Sequence, residues 1–194
     1  MRVNMTEVWS QLEHYRKLKT LPSGKRLLLR PLSTSDGVAL VDLFARASDQ
    51  DLEYFRTDAG DPEVVKSWVE NVNLKRVFPL VAVVDDEIVG DATLHFGDHF
   101  HRHLAWVRIF LDHRYRRQGI GTLMVRSLIE VARRVGLQQL YAEVVLTQPQ
   151  VVKAFENLGF RHEVTLEDYF VTDSGETLDM AIMVLRLVDN SGVF

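Results

Sequence analysis

The stretch Val107-Arg108-Ile109-Phe110-Leu111-Asp112-His113-Arg114-Tyr115-Arg116-Arg117-Gln118-Gly119-Ile120-Gly121-Thr122 holds the residue types most easily turned to chemistry. An apolar run enters a basic turn with two glycines, and the turn enters a helical pattern. A helix start leaves backbone N–H groups unpaired and carries a partial positive charge. Glycines let an anion approach that backbone, and Arg114, Arg116 and Arg117 add charge that favours a polyanion. Spacing excludes two common phosphate loops. The P-loop pattern is absent, and a dinucleotide Gly-x-Gly-x-x-Gly fails because Met124 stands where its last glycine would be. A plain glycine-bearing turn with solvated arginines fits these residues equally well.

Three other groups could do chemistry. His95, Asp98, His99, His101 and His103 cluster, and three alternating histidines on an extended segment could hold zinc. The segment has the composition of a loop, so solvated histidines and no metal are expected; His95 or His99 could alternatively act as a base through water. Asp49, Asp51 and Glu53 alternate but lack the glycine and the bidentate glutamate of a calcium loop, and are expected to form a solvated face. Strand alternation over 140–145 puts Tyr141, Glu143 and Val145 on one side and Leu140, Ala142 and Val144 on the other. Trp9, Trp68 and Trp106 suit a core or groove.

These residues need elements to position them. Helical spacing runs from Met5 through Val8, Trp9, Leu12 and Tyr15 to Leu18, and Leu21-Pro22-Ser23-Gly24 ends it. Lys25–Pro31 is expected as a strand, Val38–Ala47 as a helix, and Asp61-Pro62 opens another helix to Val72. Val77–Val84 and Ile88–Phe96 form a hairpin about Asp85-Asp86-Glu87. Leu104–Leu111 is a third strand, followed by a long helix from about Gly119 to Val135 with Gly136 at its end. Leu140–Val145 is a strand, Pro149–Leu158 a short helix, and Phe160–Leu166 with Leu178–Leu187 a closing strand pair. No linker interrupts the chain. The fold expected is α+β: one domain over 1–194, with 1–24 as an N-terminal helix and turn, around a mixed, mostly antiparallel sheet flanked by helices.

Composition narrows the function. The 194 residues are 46% hydrophobic and 26% charged, ordinary for a globular protein. Lys and Arg number 23 against 27 Asp and Glu, a net charge of −4, which argues against a nucleic-acid-coating protein. Cysteine is absent, so there is no disulfide framework, thiolate metal site or cysteine nucleophile, and a cytoplasmic setting fits. No apolar run reaches membrane-spanning length, and the N-terminus lacks the apolar core of a signal peptide.

The pattern Arg116-x-x-Gly119-x-Gly121 after an apolar strand, with Phe155-Glu156-Asn157-Leu158-Gly159-Phe160 closing a later helix, resembles the GNAT superfamily of N-acyltransferases. The element order from about 25 to 187 agrees, and Lys25 to Leu43 is similar to the start of bacterial protein lysine acetyltransferase domains. The resemblance implies acetyl-CoA as co-substrate, with Ile109, Phe110 and Leu111 holding the pantetheine arm. It assigns Arg116, Arg117, Gln118, Gly119, Ile120, Gly121 and Thr122 to the pyrophosphate, and places Gln148 where many members have a cofactor-contacting Asn. It implies transfer of acetyl by direct attack of an amine: a protein lysine, a peptide N-terminus or a small amine. Two departures stand out. Phe155 replaces the tyrosine that protonates the leaving thiolate, and Ala105 or Trp106 stands where some members have a basic glutamate. Ala142-Glu143-Val144 partly matches a third pattern, in which Glu143 would be the base; a structural ion pair is the alternative. The other class of function left open is a non-catalytic acyl-CoA-binding module.

Overall fold

A computed structural model describes residues 5–55 and 57–188. The ends of the expected 1–194 domain and the side chain of Met5 lie outside the described residues. The helices are α1 (Met5–Glu13), α2 (Gly37–Ala45), α3 (Asp49–Leu52), α4 (Pro62–Glu70), α5 (Ile120–Arg134) and α6 (Pro149–Glu156). The strands are β1 (Lys17–Thr20), β2 (Arg26–Pro31), β3 (Val77–Val84), β4 (Glu87–Phe96), β5 (Leu104–Leu111), β6 (Gln139–Val145), β7 (Arg161–Val171) and β8 (Thr177–Arg186). They form one eight-stranded sheet in the order β1-β2-β3-β4-β5-β6-β8-β7. Every neighbouring pair is antiparallel except β5 and β6. This is the mixed, mostly antiparallel α+β architecture expected.

The N-terminal segment differs from expectation. The helix stops at Glu13, and Lys17–Thr20 instead pairs with Leu29–Arg26 as an edge strand. The turn between them is closed by Leu21 N–H to Lys25 O at 2.8 Å and Gly24 N–H to Leu21 O at 2.9 Å, with Gly24 at φ 83°. Leu18, the last residue of that helical spacing, is 73% exposed. Sheet hydrogen bonds are available to this stretch from β2, and they outweigh a helical pattern without a buried face.

The sheet has one apolar layer on each side. Leu12 of α1, Met124, Leu128 and Val131 of α5, and Phe155 of α6 pack on one face with Leu27, Leu29, Leu80, Leu94 and Leu140. On the other face Leu40, Leu43 and Phe44 of α2 and Val65 and Val69 of α4 cover Val81, Ile88 and Phe110. This second layer covers β3 to β5 only. Farther along the same face, Arg108 is exposed and Trp106, Tyr141 and Glu143 are half-buried.

Candidate active site

β5 and β6 begin side by side and then part. Their parallel pairing is confined to Leu104 with Gln139, Ala105 with Leu140 and Trp106 with Tyr141. From Val107 to Leu111 on β5, and from Ala142 to Val145 on β6, the facing edges share no ladder. Unpaired strand edges present N–H and C=O groups in register. An extended molecule with amides of its own can pair there as an extra strand. Ile109, Phe110 and Leu111 line this opening, and Glu143 lies across it on β6.

At the wide end of the opening β5 enters the basic turn. Gly119 has φ 77° and is the N-terminal cap of α5, with no side chain to satisfy the helix donors. Its C=O accepts from Leu123 N–H at 3.1 Å, so the N–H groups of Ile120, Gly121 and Thr122 have no acceptor within the helix. A Cβ on Gly119 would meet nothing within 4 Å. One on Gly121 would lie 3.6 Å from Ile109 Cδ1 and 3.9 Å from Leu111 Cδ2, so helix start and strand end touch. Strand edge, helix donors and glycine clearance thus meet at one place, and they fit a pantetheine–pyrophosphate chain.

The arginines of the turn divide by partner. Asp112, whose side chain is fully enclosed, accepts from Arg46 Nε of α2 at 3.1 Å, from Arg114 Nη2 at 2.6 Å and from Arg114 N–H at 2.9 Å. Arg114 also reaches Glu87 at 2.8 Å. Arg114 therefore braces the turn and is not the free polyanion ligand the sequence suggested. Burial alone would push the Asp112 carboxyl up, but the bonds from Arg114 and Arg46 hold it well below the usual carboxylate range. Arg116 pairs with Asp51 at 2.7 Å and donates to Leu111 O at 3.0 Å. Asp51 and Glu53 accordingly do not form a solvated face. With Tyr54 they make a bridge whose other end is the β7–β8 hairpin: Glu53 accepts from Asp173 N–H at 3.3 Å, and the Tyr54 and Phe170 rings lie 5.7 Å apart. Arg117, at φ 61°, makes no ion pair among the described residues.

Sheet register shows which side chains share a face. Trp106 is opposite both His95 and Tyr141, and Glu143 is opposite Ile182. Asp91, Thr93 and His95 of β4 therefore lie on the same side as Trp106, Arg108 and Phe110 of β5 and Tyr141 and Glu143 of β6. Thr93 Oγ1 and His95 Nε2 are 2.9 Å apart. Asp91, Thr93 and Arg108 were not singled out from the sequence, although Asp91-x-Thr93-x-His95 is a polar row in a strand whose alternate residues, Gly90, Ala92 and Leu94, are buried. Burial pushes the Asp91 carboxyl up to about 7, and its Oδ1 has no hydrogen-bond partner among the described residues.

Gln148 caps α6 from outside, without a side-chain capping bond. Phe155 is buried and packs edge-on against Phe160 at 5.0 Å, a core role with no proton to give. The histidines do not converge: His99 and His101 are exposed in a short 3-10 turn, His101 stands beside Trp106 and His95 bonds Thr93. Among the described residues no group of three His, Cys, Asp or Glu is arranged to hold a metal. Elemental analysis of untagged protein is expected to find metal well below stoichiometric, with acetyl-CoA binding unchanged by chelator. Stoichiometric zinc whose removal abolishes activity would contradict this. Among the described residues no helix is long and apolar enough to cross a membrane.

Known proteins give this arrangement a family. Residues 41–160 match the model of the acetyltransferase (GNAT) family. The [ribosomal protein bS18]-alanine N-acetyltransferase of Escherichia coli K12 is 31% identical over 79 residues, 41% of this chain and 53% of that protein, so the chain spans about half of that relative's length. A phosphinothricin N-acetyltransferase from Streptomyces viridochromogenes is 24% identical over 151 residues, 75% of this chain and 80% of its own. A Salmonella typhimurium structure that holds its cofactor acetyl-CoA superposes with a TM-score of 0.71 at 19% identity, over 86% of this chain and 96% of that one, and shares the fold. With the family model matching well over half its length, the chain belongs to the GNAT acetyltransferase family.

Proposed function

We propose that this protein is an acetyl-CoA-dependent N-acetyltransferase that delivers acetyl to an amine by direct attack on the thioester. The observation that carries this reading is the meeting of the unpaired β5 edge with the uncapped N-terminus of α5. Ile109, Phe110 and Leu111 would hold the pantetheine amides, and the N–H groups around Gly119–Thr122 with Arg116 and Arg117 the pyrophosphate. Gln148, which follows β6 at the start of α6, would add an amide contact to the cofactor. Relatives named for an alanine of a ribosomal protein and for phosphinothricin support an amine acceptor on a protein or a small molecule.

The chain's contribution is position, backbone N–H polarisation of the carbonyl and proton removal. Glu143, on the open face across from β5, accepts a proton from the acceptor nitrogen. With Phe155 in place of an acid, thiolate departs as such or takes its proton from water. Glu143→Gln keeps shape and removes basicity. We expect kcat to fall at least about tenfold, less for amines of low pKa, with CoA affinity unchanged. Steady-state kinetics over amines of graded pKa is the test, and a Gln variant with full kcat would remove Glu143 from the mechanism. Acetyl-CoA binding without thioester consumption over the whole panel would instead indicate a binding module.

A further inference from the structure

We propose that Asp91 is the first proton acceptor of the transfer, its carboxylate meeting the acceptor's ammonium group at the margin of the α2–α4 layer, where the face of β4 and β5 passes from buried Phe110 to exposed Arg108. This rests on the acetyltransferase reading and deepens it. Placement is the first support. β4 turns Gly90, Ala92 and Leu94 into the core and Asp91 to the opposite face, opposite Phe110 on β5 and Val81 on β3. Phe110 belongs to the strand segment that borders the opening.

The state of the carboxyl is the second support. Oδ1 is sealed and has no partner among the described residues, while the residue as a whole keeps part of its surface, and Arg108, diagonally across on β5, is exposed. The two fully buried aspartates are paired: Asp36 with Arg30 at 2.6 Å and Asp112 with Arg46 and Arg114. An enclosed carboxyl oxygen without a partner is costly and calls for a reason. A cationic acceptor that supplies the missing donor is one.

Charged neighbours are few. His95 lies two rungs along β4 and Arg108 diagonally across on β5. β3 offers Val81 and Pro79, and α2 and α4 turn Leu40, Leu43, Phe44, Val65 and Val69 toward this layer. Glu143 is farther off, on β6. Desolvation therefore dominates, and the carboxyl titrates near neutrality, the range suited to a general base at physiological pH.

The chemistry needs such a group. An alkylammonium has no lone pair, and at neutral pH only about one molecule in a thousand is free amine. The N–H bond to Asp91 breaks heterolytically: the proton passes to the carboxylate and the electron pair stays on nitrogen, which attacks the carbonyl carbon. The tetrahedral adduct then loses its second N–H proton, the step open to Glu143. C–S cleavage sends the electron pair to sulfur as CoA thiolate. Asp91 returns its proton to solvent.

Asp91→Asn tests this. In wild-type protein kcat/KM should show an acid limb with a midpoint near 7. The Asn variant should lose that limb and at least about tenfold in kcat/KM at pH 8, less with weakly basic amines, while calorimetry shows unchanged acetyl-CoA affinity. Thermal stability separates catalysis from structure. A carboxyl raised in the fold above its unfolded value near 3.9 costs stability progressively as pH rises from about 4 to 7. The Asn variant should therefore melt higher than wild type at pH 8, by about 3 °C or more, with the gap closing by pH 4. Lower activity with a lower melting point at pH 8 would overturn the proposal, as would a wild-type kcat/KM profile in the variant. Wild-type protein that binds acetyl-CoA but acetylates no amine would sink the underlying reading and this one with it.

Discussion

Gly119→Asp is expected to abolish measurable acetyl-CoA binding while leaving the protein folded. Gly119 caps α5 at φ 77°, and a Cβ there points into open space, so bulk alone does little. Aspartate is among the side chains that tolerate a positive φ best. Its charge is the larger effect. A carboxylate about 5 Å from a phosphate at an effective dielectric of about 20 costs on the order of 3 kcal/mol, more than a hundredfold in Kd. It also offers the helix donors an internal anion. Gly119→Ala is the control: it meets the positive φ without the charge and should weaken binding less than about tenfold. Gly121→Asp should behave like Gly119→Asp. Calorimetry with acetyl-CoA decides, and unchanged affinity in both aspartate variants would remove the loop from the cofactor site.

Asp112→Asn should give the largest loss of stability among these variants. It leaves Arg46 and Arg114 without their enclosed carboxylate charge and turns one acceptor oxygen into an NH2 group, while the remaining Oδ1 can still cap the turn before α5. Breaking a fully buried pair costs about 3–5 kcal/mol; both arginines retain some exposure and Glu87 as a partner, so about 2–3 kcal/mol is expected here. In a chain of this size that lowers the melting temperature by about 5–10 °C. The pH dependence has a definite sign. The folded carboxyl titrates below its unfolded value near 3.9, so its contribution is complete above about pH 5 and fades as pH falls. The gap between wild type and variant should therefore narrow from pH 5 toward pH 2 in urea melts. A gap independent of pH would mean that the carboxylate charge does not stabilise this turn.

Elements with a buried periodic face were legible in the chain. Leu104–Leu111 appears with the bounds expected, and the stripe of Met124, Leu128, Val131 and Ala132 is buried along α5. Asp61-Pro62 caps α4 as its chemistry requires. What escaped depends on partners far away in sequence. Lys17–Thr20 becomes a strand because β2 is there to pair with it. Asp51 looked solvated because nothing local marks Arg116, 65 residues on, as its partner. Arg114 counted as an anion ligand for the same reason. Asp91 was passed over because a lone acid in an alternating strand ordinarily faces water. Its sealed oxygen depends on α2 and α4, which cover its neighbours Val81 and Phe110.

The short pairing of β5 with β6 bears on how the chain assembles. From β1 to β5 each strand neighbours the next in sequence, and β6 to β8 make a second antiparallel group. Across the sheet the two groups are joined by three residue pairs, against seven between β4 and β5. Cooperative units of a protein open most cheaply where few hydrogen bonds cross between them. The cleft is thus the seam crossed by the fewest ladder pairs between β4 and β6, although one apolar core runs beneath both groups. A ligand bridging it with backbone-like hydrogen bonds would replace missing ladder rungs, so occupancy would tie the two strand groups together more tightly and raise the stability of the whole.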